Sequence, residues 1–120
     1  MKMTITKIFT FEAAHSLPEH DGKCKNLHGH SYSLEVTASG PIIESGSKQG
    51  MIMDFADIST IVKKEILDVW DHQFLNDILP FTTTAELLAQ ECFKKLEASG
   101  LPIEKIKLYE TAKSFVEVVK

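Results

Sequence analysis

Cysteine and long apolar runs are both scarce in this sequence, and each scarcity excludes a class of protein. The two cysteines, Cys24 and Cys92, are too few for the disulfide framework of a small secreted domain. No stretch approaches the ~20 apolar residues that a membrane-spanning helix requires. We therefore expect no membrane partner, and a reducing cytoplasm is the simplest location.

Positive charge is also in short supply. Lysine and arginine number 13 against 17 acidic residues, which gives a net charge of -4. A protein that binds nucleic acid or anionic membranes generally presents a basic face, so we expect neither partner. The hydrophobic content of 43% in 120 residues is sufficient for one core. We therefore expect a single domain over residues 1–120.

The hydrophobic pattern predicts two strands, then two helices, then two strands. The predicted segments are strands over 5–15 and 28–39, helices from 55 to about 70 and from about 84 to 100, and strands over 103–110 and 113–119. Between the helices, residues 71–82 have no regular pattern. This order favours an α+β fold in which a four-stranded antiparallel sheet carries both helices on one face.

The first predicted helix has a candidate cap and one apolar stripe. Asp54 is expected to cap the helix, and the stripe includes Ile58, Val62, Ile66 and Val69.

A four-stranded sheet leaves two open edges, and pairing between subunits is a natural way to cover them. The sequence therefore predicts an oligomer.

Three histidines are phased onto one predicted sheet face. His28 and His30 are two residues apart on a strand, so their side chains emerge on the same side, and His15 continues the apolar face of the preceding strand. An isolated pair of histidines often occurs without a metal, but the shared phase of all three favours a metal site. Three nitrogen ligands and an open fourth position are typical of catalytic zinc. His20 lies between acidic residues in a polar loop and is interpreted as solvated.

Cys24, four residues before His28, has two possible roles. As a fourth zinc ligand it would close the site and make it structural. As a thiolate beside Lys23 and Lys25 it would act as a general base. The local pattern leaves both open. For Asp71 and His72, the same pattern favours a polar residue at a helix terminus and a half-buried histidine.

Two glutamates stand near predicted element ends. Glu86 is three residues after Thr83 and completes a capping box if Thr83 is the N-cap. Glu110 ends a strand on its inward side, where an unpaired carboxylate is costly. A lysine and the two N–H donors of an amino-pyrimidine edge are equally suitable partners for it.

Taken together, these segments resemble the 6-pyruvoyltetrahydropterin synthase superfamily, and most closely its bacterial branch, the 6-carboxy-5,6,7,8-tetrahydropterin synthases of queuosine biosynthesis. The segments that carry the resemblance are 11–15 (FEAAH), 24–30 (CKNLHGH), 54–55 (DF), 71–76 (DHQFLN), 84–86 (TAE) and 110–111 (ET). They cover nearly the whole chain, and their combination is far more specific than any one of them.

The resemblance implies a role for each residue. The implied roles are zinc ligands at His15, His28 and His30, a catalytic cysteine at Cys24, a catalytic histidine at His72 supported by Asp71, a pterin-holding or proton-relaying glutamate at Glu110, and a substrate contact at Thr84. It also implies the tunnelling fold, a homohexamer with active sites between subunits, and 7,8-dihydroneopterin triphosphate as the substrate. The implied product is the 6-carboxy pterin, formed with loss of acetaldehyde and triphosphate. The competing interpretations are the sister activity, which eliminates triphosphate to give a pyruvoyl pterin, and a non-catalytic zinc module closed by Cys24.

Overall fold

Two long strands form the centre of the fold. In the computed structural model, which describes all 120 residues, β1 (Thr4–His15) and β2 (His28–Ser39) pair antiparallel from Thr4 opposite Ser39 to His15 opposite His28. The predicted alternation is confirmed, because Phe11 and Tyr32 face inward as expected. One consequence is that the loop between the strands begins and ends beside a histidine.

The sheet has five strands rather than the predicted four. β2 pairs with β4 (Ile103–Thr111), which pairs with β5 (Ser114–Val119), both antiparallel. The additional strand, β3 (Gln73–Phe74), runs parallel to β1 at the other edge, so the order is β3-β1-β2-β4-β5. A two-residue strand is too short to show an alternating pattern, and tertiary pairing alone defines it. The prediction that residues 71–82 are wholly irregular was therefore wrong.

The helices pack on one face of this sheet. They are α1 (Phe55–Val62), a wide π-helical turn (Lys63–Leu67) that continues into α2 (Asp68–Trp70), then α3 (Leu75–Ile78) and α4 (Ala85–Ala98), with a short 3₁₀ turn at Lys23–Lys25. As predicted, the Asp54 side chain caps α1 by accepting a hydrogen bond from Ala56 N at 2.8 Å. Buried helix residues and the inward sheet residues form one core. No helix has both the length and the apolar character needed to cross a bilayer.

The π-helical turn decides which residue ends the buried stripe. Ile58, Val62, Ile66 and Trp70 are spaced by four and fully buried, whereas Val69 is 43% exposed. In a regular α-helix, four-residue steps drift by about 40° each. The wider turn rotates less per residue and offsets that drift. The predicted stripe was therefore wrong at Val69, and Trp70 takes its place.

Candidate active site

Three imidazoles converge where β1 ends and β2 begins. The potential ligand nitrogens of His15, His28 and His30 lie within 4.8 Å of one another. Their ring centroids are 4.5 Å apart for His15 and His28, 4.8 Å for His28 and His30, and 5.1 Å for His15 and His30. The antiparallel register produces this cluster, since it sets His15 directly opposite His28. The spacing is short enough for the three to share one ion.

Main-chain carbonyls set the orientation of two of these rings. His15 Nδ1 donates to Thr83 O at 2.8 Å, and His28 Nδ1 donates to Asn26 O at 2.7 Å. Because a carbonyl only accepts, Nδ1 carries the hydrogen and Nε2 keeps its lone pair. Nε2 of His15 and Nε2 of His30 are buried without any hydrogen-bond partner. Buried nitrogens left unpaired in this way fit a metal ion held by the three imidazoles.

The surroundings of His15 and His30 favour the neutral form of both rings. Burial lowers the pKa of His15 below its ordinary value, although the hydrogen bond to Thr83 and the nearby Glu110 oppose the shift. Burial lowers the pKa of His30 as well, again against the effect of Glu110. A neutral imidazole is the form that binds a metal.

Glu110 faces two of the three rings. Its Oε1 lies 3.7 Å from His30 Nε2 and its Oε2 lies 4.0 Å from His15 Nε2, distances too long for direct hydrogen bonds. These histidines, and no lysine, are its ion-pair partners, so the lysine alternative is not observed. Glu110 also lines a cavity of about 250 Å³ together with Thr84 and Glu86. The structure thus brings Glu110 to both the histidine cluster and a small cavity.

The two threonines before α4 have different environments. Thr84 is the N-cap, because its hydroxyl accepts a hydrogen bond from Leu87 N at 3.3 Å. The predicted capping box starting at Thr83 was therefore wrong. Thr83 is fully buried and contacts His15 instead. Nothing in the sequence distinguishes these adjacent threonines, and the role of Thr83 was missed for that reason.

Cys24 lies apart from the three nitrogens. It occupies the middle of the 3₁₀ turn as a half-buried free thiol, and its carbonyl accepts a hydrogen bond from Leu17 N at 2.8 Å. Its sulfur is not among the clustered ligand atoms. The arrangement is therefore a three-histidine cluster with a separate thiol on the adjoining loop.

Asp71 and His72 form a pair at the edge of the sheet. Asp71 Oδ2 lies 3.0 Å from His72 Nδ1, and Asp71 Oδ1 accepts a hydrogen bond from Glu12 N at 2.9 Å. The hydrogen bond from Glu12, with a further contribution from His72, lowers the pKa of Asp71. His72 has φ of +61°, an unusual value for a residue with a side chain. Its side chain is 78% exposed, so the expectation of a half-buried histidine was wrong.

The Asp71–His72 pair makes no hydrogen bond or ion pair with the three clustered histidines or with Glu110. His72 lines a cleft of about 480 Å³ together with His30 of the cluster and with Glu12, Gly29 and Ser31. The structure therefore places Glu110 directly against the histidine cluster, whereas His72 is connected to the cluster only through this shared cleft.

Comparison with known proteins decides the family. The 6-pyruvoyl tetrahydropterin synthase family model matches residues 4–120. The chain belongs to this family. It is 43% identical to a 6-carboxy-5,6,7,8-tetrahydropterin synthase of Haemophilus influenzae, over 94% of this chain and 96% of the relative. It is 42% identical to a protein of the same name from Synechocystis sp., over 92% and 88% of the two chains.

A solved structure agrees with this assignment. The 6-pyruvoyl tetrahydropterin synthase of Caenorhabditis elegans matches all of this chain and 96% of its own, with a TM-score of 0.85 and 27% identity. The tunnelling fold implied by the sequence resemblance is confirmed, with the short β3 as an addition to the expected four strands. The chain is an enzyme of the tetrahydropterin synthase type.

Proposed function

We propose that this chain is a zinc-dependent 6-carboxy-5,6,7,8-tetrahydropterin synthase. Its reaction converts 7,8-dihydroneopterin triphosphate and one water molecule to the 6-carboxy pterin, acetaldehyde and triphosphate. The names of the relatives at 43% and 42% identity support the choice of product. The observation that carries the proposal is the cluster of His15, His28 and His30, with two unpaired Nε2 atoms beside the Glu110 carboxylate.

His15, His28 and His30 are the residues that would hold zinc. Zinc bound there supplies Lewis-acid polarisation of the oxygens of the substrate side chain. Three protein ligands leave one position open for that purpose. The separation of Cys24 from the cluster supports this open arrangement over one closed by sulfur.

Cys24 and His72 move the protons in this proposal. Cys24 Sγ, as a thiolate, removes a proton from the side-chain carbon next to the pterin ring. His72 carries protons to and from the reacting centre, and Asp71 holds its Nδ1 so that Nε2 is free for this task. Support for this role of Asp71 comes from its second hydrogen bond to the main chain of Glu12, which fixes the carboxylate.

Glu110 and Thr84 hold the substrate. Two carboxylate oxygens match two N–H donors of the amino-pyrimidine edge, and this pairing orients the ring. The shared cavity of about 250 Å³ supports their acting on one ligand. The Thr84 hydroxyl already accepts a hydrogen bond from Leu87 N, so its hydrogen and one lone pair are left for the ligand.

The assembly we propose is a homohexamer, built as a dimer of trimers from one-domain chains. On its outer side, β1 pairs with β3 only at Ala13 and Ala14, and β5 has no neighbour beyond it. Two such edges are suited to pairing between subunits. A hexamer of 13.4 kDa chains has a mass of about 80 kDa by light scattering. A monomer at micromolar concentration contradicts this assembly.

The cellular role we propose is queuosine biosynthesis in the cytoplasm. A reducing compartment suits a catalytic thiol, and Cys24 and Cys92 are both free. A deletion strain that retains queuosine in its transfer RNA contradicts this role.

The test is incubation of the purified protein with 7,8-dihydroneopterin triphosphate and analysis of the products. Acetaldehyde and a 6-carboxy pterin in equal amounts support the proposal. A pyruvoyl pterin without acetaldehyde supports the sister activity instead, which the family description and the C. elegans structure favour as the second candidate. Zinc is tested separately by metal analysis of untagged protein, for which one ion per chain is expected.

A further inference from the structure

The side chain of Asn76 completes the edge of the sheet beside the histidine cluster. β3 pairs with β1 at Ala13 and Ala14, but the chain turns into α3 directly afterwards, so it offers no main-chain partner to Ser16. Asn76 Oδ1 accepts from Ser16 N at 3.0 Å, and Asn76 Nδ2 donates to Ser16 O at 2.8 Å. One side-chain amide therefore replaces both hydrogen bonds of a missing strand residue.

This amide also contacts the residue that orients His15. Asn76 Oδ1 lies 3.3 Å from Thr83 Oγ1, which in turn lies 3.5 Å from Ser16 O. Thr83 is fully buried, and its carbonyl accepts the hydrogen bond from His15 Nδ1. Asn76 thus joins the residue after His15 to the residue whose carbonyl holds the His15 ring.

Ser16 is also the first residue of the loop that carries Cys24. The Cys24 carbonyl accepts a hydrogen bond from Leu17 N, the residue next to Ser16. Ser16 therefore stands in the chain between His15, the last residue of β1, and Leu17, which is hydrogen-bonded to the Cys24 carbonyl. A displacement at Ser16 would move the His15 ring and the Cys24 loop together.

We infer that Asn76 is a positioning residue, whose amide sets the orientation of the His15 imidazole and anchors the start of the Cys24 loop. This inference rests on the proposed metal site. It gives Asn76 a role through its hydrogen bonds to Ser16 and Thr83. The loss of a residue that holds a metal ligand in place through hydrogen bonds typically changes the metal affinity by about 10- to 100-fold.

The experiment compares Asn76→Ala and Asn76→Asp with Asp77→Ala as the matched control. Asp77 is the next residue of α3 and is exposed without hydrogen bonds. Zn²⁺ affinity, measured by competition with a chelator, is expected to fall about 10- to 100-fold in both Asn76 variants and less than about twofold in the control. Asn76→Asp is nearly isosteric but places an oxygen against Ser16 O, so it separates loss of the donor from loss of volume.

A second measurement follows the His15 ring itself in the metal-free protein. We expect its ¹⁵N chemical shifts to report a single tautomer, protonated at Nδ1, in the wild type and a mixture of tautomers in the Asn76 variants. The absorption spectrum of the Co²⁺-loaded protein is expected to change for the same reason. If Asn76→Ala does not fold, Asn76→Asp decides the question, because it keeps the volume of the side chain and removes only the donor to Ser16 O.

Folded variants with wild-type Zn²⁺ affinity and an unchanged His15 tautomer overturn the inference. Failure of the wild type to bind Zn²⁺ contradicts the proposed metal site instead, and the tautomer comparison still tests the role of Asn76. The two failures are therefore distinguishable.

Discussion

The Glu110 carboxylate and the His30 imidazole face each other, with 3.7 Å between Oε1 and Nε2. No hydrogen bond joins them at this distance, and no lysine neutralises the carboxylate. The negative charge therefore stands next to the nitrogens that would bind a cation. The attraction between the Glu110 carboxylate and a cation bound by these nitrogens would be substantial in a partly buried site.

Glu110→Gln is expected to weaken both metal binding and catalysis. Loss of the charge should lower Zn²⁺ affinity by about tenfold, which corresponds to about 1.4 kcal/mol. Loss of the second acceptor for the pterin edge should lower kcat/KM by about 100-fold. Chelator competition and steady-state kinetics measure the two effects. Glu117→Gln, at a more exposed carboxylate on β5, is the control, and equal behaviour of the two variants contradicts the assignment.

Cys24→Ala is expected to keep the fold and one zinc ion per chain while losing turnover by a factor of about 10² to 10⁴. The physical reason is that the sulfur lies outside the cluster of ligand nitrogens. Metal analysis and product formation are the measurements. If the variant loses zinc and unfolds, the site is closed and structural.

Cys92→Ala is the matched cysteine control for this experiment. Cys92 is fully buried in the core on α4, and burial raises the pKa of its thiol. Its replacement should cost about 1 kcal/mol of stability and leave turnover unchanged.

Mixing Cys24→Ala and His72→Ala subunits should restore activity. The exposed His72 makes no hydrogen bond or ion pair with the histidine cluster of its own chain, so we expect it to serve the site of a neighbouring subunit. In randomly mixed assemblies each site receives an intact Cys24 in half of the cases and an intact His72 in half, which gives about a quarter of wild-type activity. Co-expression with two different tags provides the mixed assemblies. Absence of recovery means that both residues come from one chain.

The metal-free protein should lose stability as the pH falls from 7 to 5. The pKa values of His15 and His30 in the folded state lie below the ordinary 6.5, so the unfolded chain binds more protons in this range. Stability is therefore present above pH 6.5 and is lost as the pH falls toward the folded-state pKa values, by up to about 1.4 kcal/mol per pH unit for each group. Urea unfolding at several pH values measures the slope.

His15→Gln is the test variant for the pH effect, since its side chain does not titrate. It should show a shallower dependence between pH 7 and 5. The carboxyl groups of Asp54, Asp71 and Glu104 have pKa values lowered from 3.8, 3.8 and 4.5, so they titrate below this range. An unchanged slope in His15→Gln contradicts the assignment.

Trp70→Ala should destabilise the protein by about 3 to 5 kcal/mol, because it empties a fully buried site. Val69→Ala, at the exposed neighbouring position, should change stability by less than about 0.5 kcal/mol. Urea unfolding followed by circular dichroism compares them without relying on tryptophan fluorescence. A larger effect at Val69 contradicts the rotation of the helix by the π-helical turn.

Periodicity was sufficient to predict the long elements. Twelve-residue strands repeat the alternation often enough to fix which face of each residue is buried. The clustering of His15, His28 and His30 can therefore be predicted from the sequence. The pattern failed where an element was too short to repeat, as in β3, or where a wide turn changed the helical period, as at Val69.

The contacts that support the site could not be predicted from the sequence. Asn76 and Ser16 are 60 residues apart, and their pairing depends on how α3 sits beside β1. Thr83 and Thr84 are identical neighbours, and only their burial separates a ligand-supporting carbonyl from a helix cap. Tertiary packing determines these contacts, and it produces no periodic pattern in the sequence.

The carbonyl oxygens that orient His15 and His28 belong to the main chain, and every amino acid supplies one. Over evolutionary time, residues 26 and 83 can therefore change identity while homologous proteins inherit the same support for the imidazoles. An insertion or deletion beside either position is different, because it displaces the oxygen itself. A change in loop length near residues 26 and 83 is therefore a stronger indication of altered metal binding than a substitution at either residue.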